Sequence, residues 1–313
     1  MWTIALILVA LVAFCFGVGG FLFFTACKRA NDINWNDENS VKKSQFSEHS
    51  DKLKLGNQWL RDHEKEDIYM VAPDGVRLHA LWIPAPNAKA TVVVAHGYHS
   101  CGLLDFSVAL EMYHREGFHI LMPSQRAHGA SEGKYITFGV KESQDFLHWI
   151  RLHNARFGEY PIICSGLSMG ASTLMFLAGL DIPDNVRGFI ADCGFTSPKE
   201  IIAEVFRCNT HLPAWPFMWA TELFARIFGK FSLSDMHTTK TLANNHRPIL
   251  MVHGLADSFV PAEMTQRSFA ACGGDKQLLL VEDATHAMSF LVAREAYLNK
   301  REVLLEKALG DIL

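Results

Sequence analysis

The fold of this chain is decided by residues 161–175, which read PIICSGLSMGASTLM. A short apolar run typical of a buried strand leads directly into GLSMG, and small and apolar residues typical of a helix follow. The pattern Gly-x-Ser-x-Gly at such a junction predicts a sharp turn that presents Ser168 at the end of the strand. Gly166 and Gly170 allow neighbouring backbone to pass close to this turn. A plain turn with an incidental serine is the alternative interpretation.

Short apolar runs continue to alternate with longer segments of helical period from about residue 67 to the end of the chain. This alternation is typical of a mostly parallel sheet with helices on both faces, so we predict an α/β fold. The predicted strands are Ile68–Ala72, Val76–Ile83, Thr91–Ala95, His119–Met122, Ile162–Cys164, Val186–Ala191, Ile249–Val252 and Gln277–Val281.

One segment interrupts the alternation, at about residues 196–245, and it is rich in Trp and Phe. It is too long for a simple crossover, so we predict a helical lid over the carboxyl edge of the sheet, where open α/β sheets bind ligands. Trp215, Phe217 and Trp219 are the candidate substrate-contacting residues of this lid. Packing of the same aromatic residues onto the body of the protein is the equally open alternative.

Three residues at predicted strand ends form a candidate catalytic triad. A serine hydroxyl needs a base that a third group orients, and in chains with this strand–turn–helix motif the acid and the histidine follow the serine. His286 is the only histidine after Asp257, and each of the two follows a strand. We expect Ser168 to be the nucleophile, His286 the base and Asp257 the acid. Asp192 and, less directly, Asp283 are rivals for the acid.

An oxyanion hole requires two backbone N–H groups that point to the developing negative charge. One is expected from Met169, the residue after the nucleophile, and the other from Tyr98 in the loop after the third strand. Gly97 permits close approach of that loop, and His96 is expected to brace it. The set His96, His99 and Cys101 lacks a further ligand at metal-binding spacing, so no metal site is predicted.

Charge and cysteine usage exclude several classes of protein. The net charge is −4, so a nucleic acid is not an expected partner. Seven cysteines are scattered without a CxxC spacing, which argues against a disulfide framework. The expected partners are a small ester or a short peptide as substrate, and a membrane.

Residues 1–26 carry no charge and are mostly apolar, which predicts a single transmembrane anchor. A polar tether at residues 27–66 is expected to follow. Lys28 and Arg29 flank only the carboxyl side of the apolar stretch, so the positive-inside rule places the remaining chain in the cytoplasm. A cleaved secretory signal and a lipoprotein signal around Cys27 are the alternatives.

From about Asp67 to Leu313 the chain resembles the α/β-hydrolase superfamily. It is most similar to the branch of serine aminopeptidase-like and monoglyceride lipase-like hydrolases, which includes many membrane-tethered bacterial proteins. The resemblance implies about eight strands with the second antiparallel, a triad of Ser168, Asp257 and His286, and no cofactor. The matching residues are His96-Gly97, Gln125 to Ser131, Gly166 to Gly170, Asp192 to Ser197, Gly254 to Pro261, and His286.

One loop departs from the pattern of this superfamily, which reads D-x-R-G-H-G-x-S. Here Ser124 replaces the aspartate and Ala127 the first glycine. We expect an altered loop conformation with the fold and the triad retained, and a structural role for His128.

We predict a serine hydrolase that cleaves an ester or thioester with an apolar acyl group through an acyl-enzyme. The alternative is an aminopeptidase-type enzyme that cleaves an amide and binds the free amino group through Glu200, Glu204 or Glu222. A second alternative is a non-catalytic, tethered binding protein.

Overall fold

The computed structural model describes residues 2–31, 50–310 and 312, and for residues 50–54 and 57 only the backbone. Residues 32–49, which are part of the predicted tether, lie outside this description. The described chain is built around one eight-stranded sheet. Its strands in chain order are β1 Glu66–Val71, β2 Arg77–Ile83, β3 Ala90–Ala95, β4 Phe118–Ser124, β5 Ile162–Leu167, β6 Val186–Asp192, β7 Ile249–Gly254 and β8 Lys276–Val281.

The strands lie in the order β1-β2-β4-β3-β5-β6-β7-β8. Strand β2 pairs antiparallel with β1 and β4, and every other pair is parallel. This topology confirms the expected fold, including the antiparallel second strand. Because β5 to β8 are parallel neighbours, their carboxyl ends meet along one edge of the sheet, and Ser168, Asp192, Asp257 and His286 all lie at or just beyond those ends.

Helices cover both faces of the sheet. Along β3, Val93 and Ala95 belong to one apolar core and Val92 and Val94 to the other, as the alternation of a doubly covered strand requires. The helices after α1 and outside the lid are α2 Ser50–Asp62, α3 Gly102–Asp105, α4 Ser107–Arg115, α5 Val140–Phe157 and α6 Met169–Leu177, and later α10 Ala262–Ala271, α11 Ser289–Val292 and α12 Arg294–Leu309.

The segment between β6 and β7 forms the predicted helical lid. Its first helix, α7 (Pro198–Thr210), begins at Ser197, whose hydroxyl accepts a hydrogen bond from the Glu200 N–H at 3.2 Å. Proline in the first helical position supports the same start. The other lid elements are α8 Trp215–Phe224, a π-helical turn Ala225–Gly229, the short α9 Thr238–Thr241 and a 3-10 turn Leu242–Asn244.

The N-terminal helix α1 (Trp2–Ala26) is long and apolar enough to cross a membrane by length and composition. Its carboxyl half packs closely against α8. A Cβ atom placed on Gly19 would lie 2.5 Å from the Cβ of Ala220 and 2.8 Å from the carbonyl oxygen of Phe217. Glycine at this position therefore allows the two helices to touch, whereas the amino half of α1 is exposed.

The residues after α1 are docked onto the body of the protein. The Ile136 N–H donates to the carbonyl of Cys27 at 2.8 Å, and the Ala30 N–H donates to the carbonyl of Ala127 at 2.9 Å. The chain at the start of the predicted tether is therefore held against the domain. The Arg29 guanidinium adds three bonds to backbone carbonyls of the same region, those of Gly129 (2.6 Å), Ser131 (2.7 Å) and Gly133 (3.3 Å).

Candidate active site

Ser168 occupies a strained turn between β5 and α6, with φ 54° and ψ −117°. A non-glycine residue with positive φ is held there by its surroundings, and such strain is concentrated at functional sites. The surroundings here are tightly packed backbone: a Cβ atom on Gly170 would lie 1.9 Å from the carbonyl oxygen of Ala95. Only glycine permits β3 and α6 to approach so closely behind the serine.

The structure brings Ser168, His286 and Asp257 together although they are far apart in the chain. His286 Nε2 lies 2.9 Å from the Ser168 hydroxyl, and His286 Nδ1 lies 2.6 Å from Asp257 Oδ2. An ionised carboxylate only accepts hydrogen bonds, so the proton of the neutral imidazole is on Nδ1. The Nε2 lone pair consequently faces the serine hydroxyl, as a general base requires.

Asp257 is held in its ionised form. Burial by itself would raise the pKa of this carboxyl, but hydrogen bonding with His253 and His286 and backbone N–H donors bring the pKa well below its usual range. The N–H groups of Phe259 and Val260 both donate to Oδ1 at 2.9 Å. Oδ1 is thereby fixed by backbone, which leaves Oδ2 for the histidine.

Asp192, the alternative acid, is buried at the end of β6 and makes no hydrogen bond to His286 among the contacts of the described residues. Its Oδ1 has no hydrogen-bond partner within the described parts of the chain. Burial raises the pKa of Asp192 to about 6, although His253 and Ser289 oppose this. The geometry therefore favours Asp257 over Asp192 as the partner of the histidine.

The loop after β3 lies beside the nucleophile. A Cβ atom on Gly97 would be 3.5 Å from the Cβ of Ser168. The backbone N–H groups of Tyr98 and Met169, the two expected oxyanion donors, have no backbone or side-chain acceptor among the described residues. His96 is buried and accepts a hydrogen bond from the Gln125 N–H at 3.0 Å, which braces the loop, and burial lowers its pKa to about 4.

Asp105 is a residue of this loop region that sequence reasoning missed. Its carboxylate accepts hydrogen bonds from the Gly97 N–H at 2.6 Å and from the Ser100 hydroxyl at 2.5 Å. Burial raises the pKa of Asp105 to about 6, although these two donors oppose the change. The only sequence signal was an acidic residue eight positions after Gly97, which is too common a feature to single out.

The loop that departs from the family pattern supports the same region from behind. Ala127 adopts φ 60°, a conformation that favours glycine. His128 accepts a hydrogen bond from the His99 N–H at 3.2 Å, while burial and nearby histidines hold its pKa well below the usual range. His128 therefore contacts the loop after β3 as a neutral acceptor.

An apolar cavity of about 320 Å³ leads to Ser168. Residues of α7 and of the carboxyl end of α1 both line it. Trp215, Phe217 and Trp219, expected as candidate substrate residues, do not line it, because α8 packs on α1 rather than over the serine. The lining residues are Phe21, Leu22, Thr25, Ala26, Tyr98, Phe138, Ser168, Phe195, Ile201, Ile202, Val205, Phe206, Asn209, Thr210 and Phe259.

None of the described residues that line this cavity is charged. Glu200, Glu204 and Glu222, considered as anchors for a substrate amino group, are engaged elsewhere. Glu200 pairs with Arg267 and His237, while Glu204 and Glu222 pair with arginines one helical turn away.

Cys193, Asp257 and His286 present potential metal ligands within 4.8 Å of one another. A metal would require the thiolate of Cys193. Burial and the neighbouring carboxylates raise the pKa of that thiol well above its usual value, so the group does not suit a metal.

Comparison with known proteins connects this geometry to a family. The family model described as Serine aminopeptidase, S33, matches residues 86–247, just over half of the chain. The "uncharacterized protein YqkD" of Bacillus subtilis is 27% identical over 235 residues, which are 75% of this chain and 77% of that protein. The α/β hydrolase domain-containing protein WAV2 of Arabidopsis thaliana is 25% identical over 250 residues, covering 77% and 79% of the two chains.

A solved structure supports the fold. The esterase Pf2001 of Pyrococcus furiosus matches with a TM-score of 0.66 and 21% identity, and the match covers 90% of this chain and 98% of that one. A likeness at this level of identity concerns the architecture alone.

Proposed function

We propose that this chain, which belongs to the serine aminopeptidase S33 family, hydrolyses a carboxylic ester or thioester with an apolar acyl group. One observation carries the proposal: Ser168, His286 and Asp257 are hydrogen-bonded in series at the inner end of an apolar cavity. The series supplies a nucleophile, a base and an orienting acid in the order that acyl transfer requires.

The proposed reaction has two steps. The Ser168 hydroxyl attacks the acyl carbon while His286 Nε2 takes its proton, and the N–H groups of Tyr98 and Met169 stabilise the oxyanion. His286 then protonates the leaving alcohol or thiol, which leaves an acyl group on the serine. Water attacks this acyl-enzyme, His286 again takes the proton, and the acid product departs as the proton returns to Ser168.

The cavity lining supports an apolar acyl group rather than a free amino group. An unpaired ammonium group in an apolar cavity is strongly unfavourable, and no described lining residue is a carboxylate. Amide cleavage is the second candidate, because the matching family is described as a serine aminopeptidase.

The test uses the full chain in detergent with a fluorophosphonate probe that phosphonylates active serines, with loss of fluoride. We expect the wild type to be labelled and Ser168→Ala to lose labelling. Ser258→Ala, which alters an exposed serine next to Asp257, is the matched control and should still be labelled. Turnover of the 4-nitrophenyl ester of an apolar carboxylic acid should exceed turnover of the 4-nitrophenyl ester of an amino acid with a free amino group by at least about 100-fold, as expected if the cavity lacks an amine anchor.

The opposite rate ratio would favour the aminopeptidase. An unlabelled, folded wild type would favour the non-catalytic binding protein.

We also propose that α1 anchors the enzyme in a membrane with the hydrolase domain in the cytoplasm. Support comes from the length and apolar composition of α1 and from Lys28 and Arg29 after it. Cysteine-accessibility labelling of intact cells tests the orientation. Labelling of an introduced surface cysteine by an impermeant reagent would contradict it.

A further inference from the structure

We infer that α1 is a wall of the acyl-binding site, and that the substrate is an acyl ester resident in the bilayer whose chain reaches Ser168 directly from the membrane. This inference rests on the proposed hydrolase function and names the substrate class for it. It begins from the cavity, because one side of it is formed by the helix proposed to be the anchor.

The contact of α1 with the cavity is built from one face of the helix. Leu22, Thr25 and Ala26 follow the i, i+3, i+4 spacing that places side chains on one side. The same cavity is also lined by α7 residues that include Val205 and Phe206. The cavity would therefore lack one wall without α1.

The mouth of the cavity lies between α1 and the carboxyl end of α7. Ser168 is only 6% exposed, whereas Phe21 is 69% exposed and Thr25, Asn209 and Thr210 are also exposed. The lining thus runs from a buried nucleophile to an open rim on the side of the molecule that carries the proposed anchor.

The packing of α1 determines where this rim stands relative to the bilayer. Close contact with the lid begins at Phe14, whose ring is 6.0 Å from that of Phe217. The free part of α1 before Phe14 is about 18 Å long at 1.5 Å per residue. A bilayer core is about 30 Å thick, so the rest of the apolar helix enters the bilayer only if the adjoining lid enters with it.

The lid surface beside α1 fits this position because it is apolar and exposed. Trp219 contacts Phe16 at 6.1 Å between ring centroids, and Phe228 contacts Phe24 at 5.3 Å. An exposed apolar surface continuous with a membrane helix indicates a lipid contact. The exposed apolar residues of the lid are Leu212, Trp215, Trp219, Leu223, Ile227 and Phe228.

Exposed basic side chains lie at the end of this surface. Lys28 follows α1, and Lys230 follows the π-helical turn of the lid. Long basic side chains reach from an apolar surface to lipid headgroups. The rim of the cavity is accordingly near the level of the lipid headgroups. The ester bond of a lipid lies at this level, and the acyl chain of the lipid points from there into the bilayer.

The cavity size suits one chain. A volume of about 320 Å³ holds on the order of ten carbon groups of an acyl chain, if each takes roughly the 30 Å³ that one water molecule occupies in the liquid. A longer chain would keep its distal carbons in the bilayer through the open rim.

Two pairs of variants test whether α1 forms a wall of the cavity. They are made in the full chain, which is reconstituted in phosphatidylcholine vesicles. Leu22→Trp fills the cavity from α1, and Leu11→Trp places the same ring on the exposed half of the helix. Gly19→Leu wedges α1 away from Ala220, whereas a Cβ on Gly17 meets nothing within 4 Å, so Gly17→Leu is its control. We expect the ratio of 4-nitrophenyl hexadecanoate to 4-nitrophenyl acetate turnover to fall at least tenfold in Leu22→Trp and Gly19→Leu, and to be unchanged in the controls.

The supply route is tested with wild type and the hexadecanoate ester. The ester is placed either in the same vesicles as the enzyme or in separate vesicles. We expect at least tenfold faster initial turnover in the same vesicles, while the water-soluble acetate ester is hydrolysed equally in both arrangements.

Equal rates from both vesicle populations, or an unchanged chain-length ratio in Leu22→Trp and Gly19→Leu, would overturn the inference. If Ser168 is still labelled by fluorophosphonate in these variants, the proposed hydrolase function survives that result. Absence of labelling in the wild type would instead remove the hydrolase function, and this inference with it.

Discussion

The Tyr98 hydroxyl donates a 2.8 Å hydrogen bond to the carbonyl of Ala26, the last residue of α1. Tyr98 also supplies one of the two proposed oxyanion donors through its backbone. The same residue thus joins the end of the proposed membrane helix to the loop next to the nucleophile. The position of α1 and the conformation of the loop after β3, which carries Tyr98, are consequently coupled.

Tyr98→Phe removes this bond and keeps the ring. A hydrogen bond of this kind contributes about 1 kcal/mol net, so we expect kcat to fall about three- to tenfold with KM little changed, because the loop is less well fixed. Steady-state ester hydrolysis measures both constants. Tyr135→Phe is the control, since the Tyr135 ring packs 5.1 Å from Phe23 without a hydroxyl hydrogen bond among the described residues. Identical kinetics for both variants would show that the bond does not position the loop.

Asp257→Asn and Asp192→Asn separate the two candidate acids. Of these two carboxyl groups, that of Asp257 is the one hydrogen-bonded to His286 Nδ1. An amide there disfavours the tautomer that leaves Nε2 free to accept a proton. We expect kcat to fall by about 10³–10⁴ in Asp257→Asn and by less than about tenfold in Asp192→Asn. A larger loss in Asp192→Asn would reassign the acid.

The raised pKa of Asp192 predicts that the free energy of unfolding depends on pH. Burial raises its pKa in the folded protein to about 6 from the ordinary 3.8. The unfolded carboxyl then ionises at lower pH than the folded one, so wild type loses stability as the pH rises from about 4 to 6. Asp192→Asn lacks this loss and should gain roughly 2–3 kcal/mol relative to wild type by pH 7.

Thermal unfolding of the full chain in detergent at pH 4.5 and pH 7.5 measures this difference. The melting temperature of Asp192→Asn minus that of wild type should be larger at pH 7.5. A difference that shrinks as the pH rises contradicts the raised pKa.

Arg29→Gln tests how α1 is attached to the domain. The guanidinium group donates to three backbone carbonyls, among them that of Ser131 at 2.7 Å. Hydrogen bonds from charged groups contribute about 1.5–3 kcal/mol, so we expect a melting temperature lower by several degrees. Lys28→Gln changes the same charge on an exposed side chain and should melt as wild type does. Equal melting temperatures would show that Arg29 is not part of the attachment.

Most of the fold was accessible from sequence because its signals are local. The eight apolar runs predicted as strands overlap the eight observed strands, since a buried parallel strand is a short continuous apolar segment. The order of Ser168, Asp257 and His286 along the chain was equally readable. Asp105 was not, because its role depends on the folding of Gly97 and Ser100 back onto one side chain.

The lid shows where local signals end. Its aromatic composition was visible in the sequence, but two uses of Trp215, Phe217 and Trp219 were compatible with it. The structure places them outside the cavity, against α1 or exposed, and α7 lines the cavity instead. That choice depends on contacts between residues about 200 positions apart, such as Gly19 with Ala220.

The sequence by itself determined the class of sheet, the strand–turn–helix motif at Ser168, the chain order of the proposed triad and the apolar N-terminal helix. Each follows from periodicity or from a short motif, which acts over a few neighbouring residues. Only the tertiary structure decided that Asp257 rather than Asp192 meets His286, and that the N-terminal helix lines the cavity that leads to Ser168. These outcomes depend on which surfaces fit when distant segments pack, and complementarity of that kind is a property of the assembled core.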